Sequence, residues 1–239
     1  GAAYKVSRVD AVPPVVTLHL WGVAGPRVPA ALLRMGLDRV ALRGTPGLRF
    51  AKLLGTGSGR TFTVRDADLG HWGLLAAWGS DGAAAAFEES RTAAAWQRFS
   101  RERLRITLRP LASRGTWSRR APFGAPVGAR YDGPVAAVTR ARLTPRKAAV
   151  FWRAVPPVSS DLHRRPGLRL ALGIGEAPVG LQGTFSLWDS TAALTEFAHR
   201  RPAHVEAVRR TAEERWYAEE LFARFAVLTV DGTFEGRTP

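Results

Sequence analysis

Short apolar runs alternate with stretches of helical periodicity along the chain, and their order predicts the fold. Runs of β-branched and aromatic residues are typical of strands, and apolar residues at helical spacing are typical of helices. In the first half the predicted strands are Val15 to Trp21, Leu48 to Leu54, His71 to Trp78 and Leu104 to Leu111. The predicted helices are Val28 to Val40 and Gly82 to Phe99. The predicted order is therefore β-α-β-β-α-β.

The second half predicts the same order. Its predicted strands are Val135 to Leu143, Leu168 to Ile174, Thr184 to Trp188 and Ala223 to Val230. Thr144-Pro145 opens a helix that carries Phe151 and Trp152, because a capping residue precedes proline at the first helical position. A second helix, capped by Asp189 or Ser190, runs to about His199. A helical pattern resumes at Pro202 and contains Glu213 to Leu221.

Paired landmarks indicate that the two halves are copies of one unit. The pairs are Pro46-Gly47-Leu48-Arg49 with Pro166-Gly167-Leu168-Arg169, Trp78 and Phe87 with Trp188 and Phe197, and Gly115-Thr116-Trp117 with Gly232-Thr233-Phe234. A repeat this long is a duplicated subdomain and not a solenoid unit. We therefore predict an α+β fold in which two tandem ferredoxin-like (β-α-β-β-α-β) repeats form a pseudo-dimeric α+β barrel in one chain. The predicted boundaries are 1–117 for the first repeat, 118–133 for a Pro/Gly/Arg-rich linker and 134–239 for the second repeat.

The amino-acid composition limits the classes of function that this chain could have. The net charge is +15, yet lysine occurs only at Lys5, Lys52 and Lys147, so nearly all the positive charge is arginine. The arginines form no long run and no zinc spacing accompanies them, so we expect no nucleic-acid partner. The absence of cysteine excludes disulfides, thiolate ligands and cysteine nucleophiles. No apolar stretch approaches the roughly 18 residues that span a bilayer, which favours a cytoplasmic location.

A succession of short motifs carries a family resemblance over nearly the whole chain. The motifs are Leu54-Gly55-Thr56-Gly57, Gly115-Thr116-Trp117, Gly133-Pro134-Val135-Ala136, Thr139-Arg140-Ala141, Phe151-Trp152, Gly173-Ile174-Gly175-Glu176, Gln182-Gly183-Thr184-Phe185-Ser186, His204-Val205-Glu206-Ala207 and the stretch from Trp216 to Phe225. In this order they resemble the spheroidene monooxygenase family of carotenoid biosynthesis. The resemblance implies a monooxygenase that contains haem b. Such an enzyme uses dioxygen and electrons from a donor such as ferredoxin to oxygenate an apolar or specialised-metabolite substrate.

The haem that the resemblance implies needs an axial ligand. Without cysteine the candidates are histidine, tyrosine or Met35. His204 matches the histidine of the family's His-x-Glu-Ala pattern, so we predict that it binds the iron, in the second repeat, with Glu206 or a carbonyl orienting its ring. His199 is the alternative. The other histidines are expected to be hydrogen-bonded in strands (His19, His71) or solvated (His163).

Further residues of the second repeat suit a haem site, each with a plain structural alternative. Arg140 and Arg224 could pair with propionates or hydrogen-bond bound oxygen, or could form ordinary surface ion pairs. Gln182 could be a distal donor or an exposed strand-start residue. The aromatic residues that could wall the pocket or simply fill the core are Phe151, Trp152, Phe185, Trp188 and Trp216. A metal site formed by the carboxylates of Glu176, Glu219 and Glu220 is a less favoured hypothesis than haem, because adjacent residues on a helix point apart.

Other classes of function stay open at this stage. They are a cofactor-free or non-redox lyase or dehydratase on the same barrel, a basic nucleic-acid-binding module, and a fused structural pair without chemistry. The substrate is also open between a carotenoid and a smaller metabolite. Contact with a membrane surface and assembly into an oligomer are compatible with the sequence.

Overall fold

The computed structural model describes residues 8–58, 67–128, 130–143, 165–176, 183–199 and 217–239. The strands are β1 (Arg8–Val9), β2 (Val15–Val23), β3 (Leu48–Gly57), β4 (Ala67–Trp78), β5 (Ser100–Gly115), β6 (Arg120–Ala121), β7 (Val135–Leu143), β8 (Leu168–Gly175), β9 (Gly183–Trp188) and β10 (Tyr217–Gly232). The described helices are α1 (Val28–Ala41), α2 (Asp81–Glu88), α3 (Arg91–Phe99) and α4 (Thr191–His199).

Eight of the strands close into an antiparallel barrel. The order around the barrel is β10-β5-β2-β4-β3-β8-β9-β7, and β1 and β6 form a separate parallel pair. The first half contributes β5-β2-β4-β3 and the second half contributes β10-β7-β9-β8. Each half thus places its own strands in the order fourth, first, third, second. Closure pairs every barrel strand on both sides, which removes exposed sheet edges. The predicted antiparallel barrel with helices is confirmed.

Alternation along the strands divides the apolar residues into two layers. One face of every barrel strand points inward, where side chains of both halves form a single core. Its members include Leu18, Ile106, Leu172, Phe185 and Phe225. The other face of the first-half sheet packs against α1, α2 and α3 through residues that include Val15, Trp21, Trp78, Phe87 and Trp96. Helices therefore cover the outside of the barrel, and the inside is filled by side chains alone.

The structure differs from the sequence prediction at two helices. The predicted helix from Gly82 to Phe99 is two helices, because the Ser90 hydroxyl accepts a hydrogen bond from the amide of Ala93 at 3.1 Å and starts a new helix there. The predicted helical stretch up to Leu221 is wrong at its end, because β10 begins at Tyr217. The alanine and glutamate residues of this stretch have high helix propensity. Backbone pairing with β7 on one side and β5 on the other nevertheless makes the stretch a strand. The remainder of that stretch and the helix predicted at Thr144 lie outside the described residues.

Matching turns follow the last strand of each half. Gly115 and Gly232 have φ values of +87° and +98°, a region that L side chains rarely adopt. After each glycine the next amide donates across to the neighbouring strand, Thr116 N to Glu220 O at 2.7 Å and Thr233 N to Arg103 O at 2.8 Å. At both glycines an added Cβ would collide with the same carbonyl oxygen that accepts this bond. Glycine is therefore required at both turns.

A carboxylate holds each of these turns in place. Glu219 accepts a hydrogen bond from the backbone amide of Arg119 at 2.6 Å in the first turn. In the second turn Glu102 accepts from the amides of Glu235 at 3.0 Å and Gly236 at 2.6 Å, and from the Thr233 hydroxyl at 3.0 Å. Successive backbone amides make a suitable pocket for an anionic group. Each turn thus folds back against the barrel through one buried or half-buried glutamate.

We predict that Gly115→Ala and Gly232→Ala each lower the free energy of unfolding by more than about 1 kcal/mol, because alanine is strained at positive φ and its Cβ would meet backbone. Urea denaturation monitored by circular dichroism measures the change. Gly128→Ala is the control, because a Cβ at Gly128 meets no atom within 4 Å. Equal midpoints for all three variants would contradict the assigned turn geometry.

Candidate active site

The helix-facing surface of the first half is filled by bulky side chains. His19 lies opposite Leu74 in the β2-β4 ladder, and Trp21 lies opposite Trp72. These side chains are almost fully buried, with Leu74 at 0% and Trp21 at 2% exposed. Rings extend this packing into the helices, since Trp21 stacks on Trp96 with a centroid distance of 4.9 Å. The chain's own aromatic residues fill most of this layer, and a pocket lined by His19, Trp21, Glu88 and Arg105 remains at its edge.

The corresponding surface of the second half carries small side chains instead. In the β7-β9 ladder Ala137 lies opposite Ser186, and Thr139 lies opposite Thr184. The β8-β9 ladder continues these rows with Ala171 and Gly173. Ala137, Thr139 and Thr184 are only half-buried. The positions that hold His19 and Leu74 in the first half thus hold Thr139 and Thr184 here.

Helix α4 covers one end of this surface. Its Phe197 ring packs on Trp188 with a centroid distance of 5.1 Å, and Ser190 caps its first turn by accepting from the amide of Ala193 at 3.2 Å. Trp188 donates its Nε1 hydrogen to the Ser186 hydroxyl at 2.9 Å. Trp188 is therefore fully buried, and it packs with Val135, Ala226 and Phe197 at one edge of the small-residue surface.

Arg224 lies on the same surface. It is opposite Ala137 in the β7 ladder and opposite Ala112 in the β5 ladder, between the inward-facing Ala223 and Phe225. Its side chain is half-buried, and its Nε has no hydrogen-bond partner within the described parts of the chain. A guanidinium in this setting suits a carboxylate or another oxygen acceptor that binds over the small residues. Of the two predicted site arginines, Arg224 is the one that lies on the small-residue surface.

Arg140 lies on the opposite face of the sheet, inside the barrel end. Its Nη1 donates to Glu219 at 2.8 Å, its Nη2 donates to Glu176 at 3.0 Å, and its guanidinium lies 5.0 Å from the centre of the Trp117 ring. Lys52 also pairs with Glu176. Arg140 is only 3% exposed. The structure therefore separates Arg140 from Arg224, and it places Arg140 in an ion-pair cluster where β3 meets β8.

The charges of this cluster stabilise the ionised carboxylates. Burial raises the pKa of Glu176, but the hydrogen bond and charge of Lys52 and the charge of Arg140 outweigh it and hold that pKa below 4.5. For Glu219 burial acts in the same direction, and the Arg119 amide and Arg140 lower the pKa more strongly. A lowered pKa stabilises the fold above the ordinary carboxyl pKa, and this contribution disappears as the pH falls through the lowered value.

Both histidines with described side chains already have partners. His19 Nε2 contacts the Glu88 carboxylate at 2.7 Å. His71 contacts Asp68 through Nδ1 at 2.6 Å and Glu102 through Nε2 at 3.2 Å. Burial lowers the pKa of His71, but the hydrogen bonds and charges of these two carboxylates raise it above 6.5 overall. The prediction that His19 and His71 are hydrogen-bonded strand residues is confirmed, and neither ring is placed to ligate a haem over the second half.

The remaining predicted site residues lie in different parts of the structure or outside the described residues. Phe185 lies in the barrel core, on the other face of β9 from Trp188. His199 ends α4, and its side chain is not among those described. Gln182, Trp152, Trp216 and His204 lie outside the described residues, as do Phe151, His163 and Glu206. The described residues contain no group of three or more His, Cys, Asp or Glu that could hold a metal ion.

Sequence reasoning missed two features of this region. It placed Glu219 and Glu220 on a helix, whereas β10 sends Glu219 to the buried cluster and leaves Glu220 exposed. It also missed the contrast between the two helix-facing surfaces. That contrast was visible in the aligned repeats, since Leu53 and Leu74 of the first half correspond to Gly173 and Thr184 of the second. Only the ladders show that these positions share one surface.

The chain resembles curated spheroidene monooxygenases over most of its length. It is 36% identical to the spheroidene monooxygenase of Rhodobacter capsulatus over 232 residues, and this alignment covers 95% of each chain. It is 40% identical to the spheroidene monooxygenase of Rubrivivax gelatinosus over 196 residues, and this alignment covers 81% of this chain and 74% of the relative. The chain belongs to the spheroidene monooxygenase family. The family assignment indicates an oxidoreductase that uses dioxygen and a small-molecule substrate. The chain matches no protein-family model.

A solved structure shares the fold. The crystal structure of an aldoxime dehydratase in complex with butyraldoxime superposes with a TM-score of 0.56 over 92% of this chain and 82% of that chain, at 11% sequence identity. At this level of identity the similarity concerns the fold alone, because one fold hosts many chemistries. It places this spheroidene monooxygenase family member on a scaffold that is also used by a non-oxygenase enzyme.

We predict that Glu219→Ala lowers the free energy of unfolding at neutral pH by about 3–5 kcal/mol, because it leaves the buried Arg140 guanidinium with one carboxylate fewer. Glu220→Ala, one residue away and exposed, should change it by less than about 0.5 kcal/mol. Denaturant unfolding at pH 7 and again near pH 3 measures both. The Glu219 effect should shrink as the pH falls through the lowered pKa of its carboxylate, where the pairing with Arg140 is lost. An effect of equal size at both pH values would contradict the ionic role.

Proposed function

We propose that the protein is a haem-dependent monooxygenase whose haem b binds against the helix-facing surface of the second half. The observation that carries this proposal is the contrast between the two halves. One helix-facing layer is filled by Trp21, Trp72 and His19, and the other presents Ala137, Thr139 and Thr184 at half-buried positions. A planar macrocycle needs a broad surface without large side chains, and the second half provides one.

The polar and aromatic residues around this surface fit the same cofactor. Arg224 offers a guanidinium that could pair with a propionate or hydrogen-bond a bound oxygen atom. Phe222 lies on the same face of β10 and carries Arg114 over its ring at 4.5 Å. Trp188 and Phe197 supply an apolar edge. We assign Arg224 to the cofactor and not Arg140, because Arg140 Nη atoms already contact two carboxylates on the other face.

His204 is the axial ligand in this proposal. It follows the end of α4 at His199 by five residues and precedes β10, and both of these elements border the small-residue surface. Five residues extend at most about 18 Å, a reach that is compatible with this role. Glu206 or a carbonyl would orient its ring, and Gln182, Trp152 and Trp216 would complete the pocket. His199 is the alternative ligand.

The chemistry divides between cofactor and chain. Haem would supply the activation of dioxygen, so that one oxygen atom enters a C–H bond of the substrate and the other leaves as water, with two electrons delivered one at a time by a donor such as ferredoxin and two protons taken from solvent. The chain's residues bind and orient. Arg224 supplies positive charge beside the reacting oxygen or the propionates, and Trp188, Phe197 and Phe222 exclude water from an apolar substrate.

We also propose that the two halves are copies of one β-α-β-β-α-β unit. Corresponding strands occupy corresponding places in the barrel order, and the turns at Gly115 and Gly232 repeat the same hydrogen bonds and the same glutamate contact. In this scheme the first copy closes its helix-facing layer with aromatic residues, and the second copy opens it for a cofactor. One haem per chain follows.

The haem prediction is tested by the visible spectrum of the purified protein. We expect a Soret band and one haem per chain, both lost in His204→Ala while the far-ultraviolet circular dichroism is kept. Thr184→Leu, which introduces the first-half residue at that position, should reduce haem content because it fills the surface. The control is Thr229→Leu, which is exposed on β10. A colourless protein after reconstitution with haem would reject the proposal, and loss of haem in His199→Ala alone would move the ligand to His199.

The substrate prediction is tested by turnover. We expect the reconstituted enzyme, supplied with dioxygen and a ferredoxin reducing system, to convert an acyclic carotenoid into an alcohol or ketone. Chromatography with mass spectrometry detects the product, and labelled dioxygen shows the origin of its oxygen atom. Rapid turnover of a small polar metabolite with no conversion of the carotenoid would instead assign a specialised-metabolite substrate.

A further inference from the structure

Helix α1 presents apolar residues on its outer side as well as on its inner side. Ala31, Met35 and Asp38 are buried against the sheet. The outward residues include four large apolar side chains that are well exposed, Leu32 at 40%, Leu33 at 65%, Leu37 at 56% and Val40 at 67%. With 3.6 residues per turn, Leu33, Leu37 and Val40 lie on the side of the helix opposite the buried residues, and Leu32 lies on the flank beside them. A helix that needs only one apolar face to pack on its sheet thus has a second apolar face.

Arginines border this outer face. Arg39 lies on one side of the four apolar residues, where its Nη2 also donates to the carbonyl of Glu176 at 2.9 Å. Arg27 precedes the helix and Arg43 follows it, and both are exposed. The acidic residue of α1 is Asp38, which is 1% exposed and pairs with Arg34 at 2.7 Å. The outer face is therefore apolar in its centre and positive at its border.

We infer that the outer face of α1, defined by Leu32, Leu33, Leu37 and Val40, docks on the surface of an anionic lipid bilayer. Apolar side chains framed by arginine are the pattern of helices that lie in the membrane interface, where leucines enter the acyl boundary and cations contact the headgroups. A second copy of the chain fits this face less well, because each copy carries a net charge of +15 and brings the same arginine border.

The docking is parallel to the membrane plane. Helix α1 has 14 residues and is about 21 Å long. Its inner side packs on the barrel through Ala31 and Met35. The helix can therefore contact the bilayer only with its outer side facing the lipid. Among the described helices, none has the length and hydropathy that a bilayer-spanning segment needs. The inference does not depend on haem, so its failure and the failure of the proposed function are separate results.

The absence of cysteine permits a site-specific test on the full chain. Leu33→Cys carrying the environment-sensitive dye NBD reports on α1, and Leu228→Cys with the same dye reports on an exposed position of β10. With vesicles of phosphatidylcholine and phosphatidylglycerol we expect the α1 dye to brighten and shift to the blue, and the β10 dye to stay unchanged. Pure phosphatidylcholine vesicles should give a much smaller change. An α1 dye that does not respond to anionic vesicles overturns the inference.

Vesicle co-sedimentation supplies the matched mutational test. Leu33→Ser combined with Leu37→Ser should weaken binding to anionic vesicles by about tenfold or more, because two apolar side chains no longer enter the lipid. Arg27→Gln and Arg43→Gln should each weaken it by about fivefold, an effect that salt suppresses. The control, Leu69→Ser with Leu228→Ser, removes two other exposed leucines and should bind as the unmodified chain does.

Two results would reject the membrane assignment. Equal loss of binding in the control pair would show that general surface hydrophobicity or charge drives sedimentation. Self-association of the unmodified chain in analytical ultracentrifugation, abolished by Leu33→Ser with Leu37→Ser and accompanied by no vesicle binding, would assign the face to a contact between copies. Unchanged circular dichroism and thermal midpoint confirm that the variants fold.

Discussion

The shared barrel interior is the constraint on which the rest of the structure depends. Neither half can bury the inner face of its own four-stranded sheet, so the two sheets close on each other through the β5-β10 and β3-β8 ladders. The β3-β8 ladder is short, and the ion-pair cluster of Arg140, Glu176, Glu219 and Lys52 lies beside it. Because the interior is filled by side chains from both halves, it offers a packed core and not a ligand cavity.

The outer faces of the two sheets are free of this constraint. There each half meets its own helices, and the two halves can differ without disturbing the core. The first half stacks His19, Trp21 and Trp96 between sheet and helices. The second half has small residues and Arg224 at the corresponding surface. The same architecture thus holds a layer of bulky side chains in one half and small side chains in the other.

The positive charge of the chain has more than one role. Arg140 is nearly buried and neutralises two carboxylates, Arg224 is half-buried beside small residues, and Arg27 and Arg43 are exposed at the ends of α1. The bidentate guanidinium suits all three settings, since it pairs with protein carboxylates, ligand oxygens or lipid phosphates. Net charge alone therefore says little about function, and the position of each arginine decides its role.

The sequence by itself located the eight barrel strands, although it assigned the first residues of β10 to a helix, and it carried the family resemblance and the short motifs at the turns. These properties depend on local periodicity, and Val135 to Leu143 was predicted with the observed bounds. Only the tertiary structure decided which face each side chain occupies. Arg140 and Arg224 are equivalent in a sequence, yet alternation along β7 and β10 sends one into the barrel and the other toward the helices. Glu219 entered β10 because two neighbouring strands supply hydrogen bonds that outweigh its helical propensity, and pairing of this kind involves residues far apart in the chain.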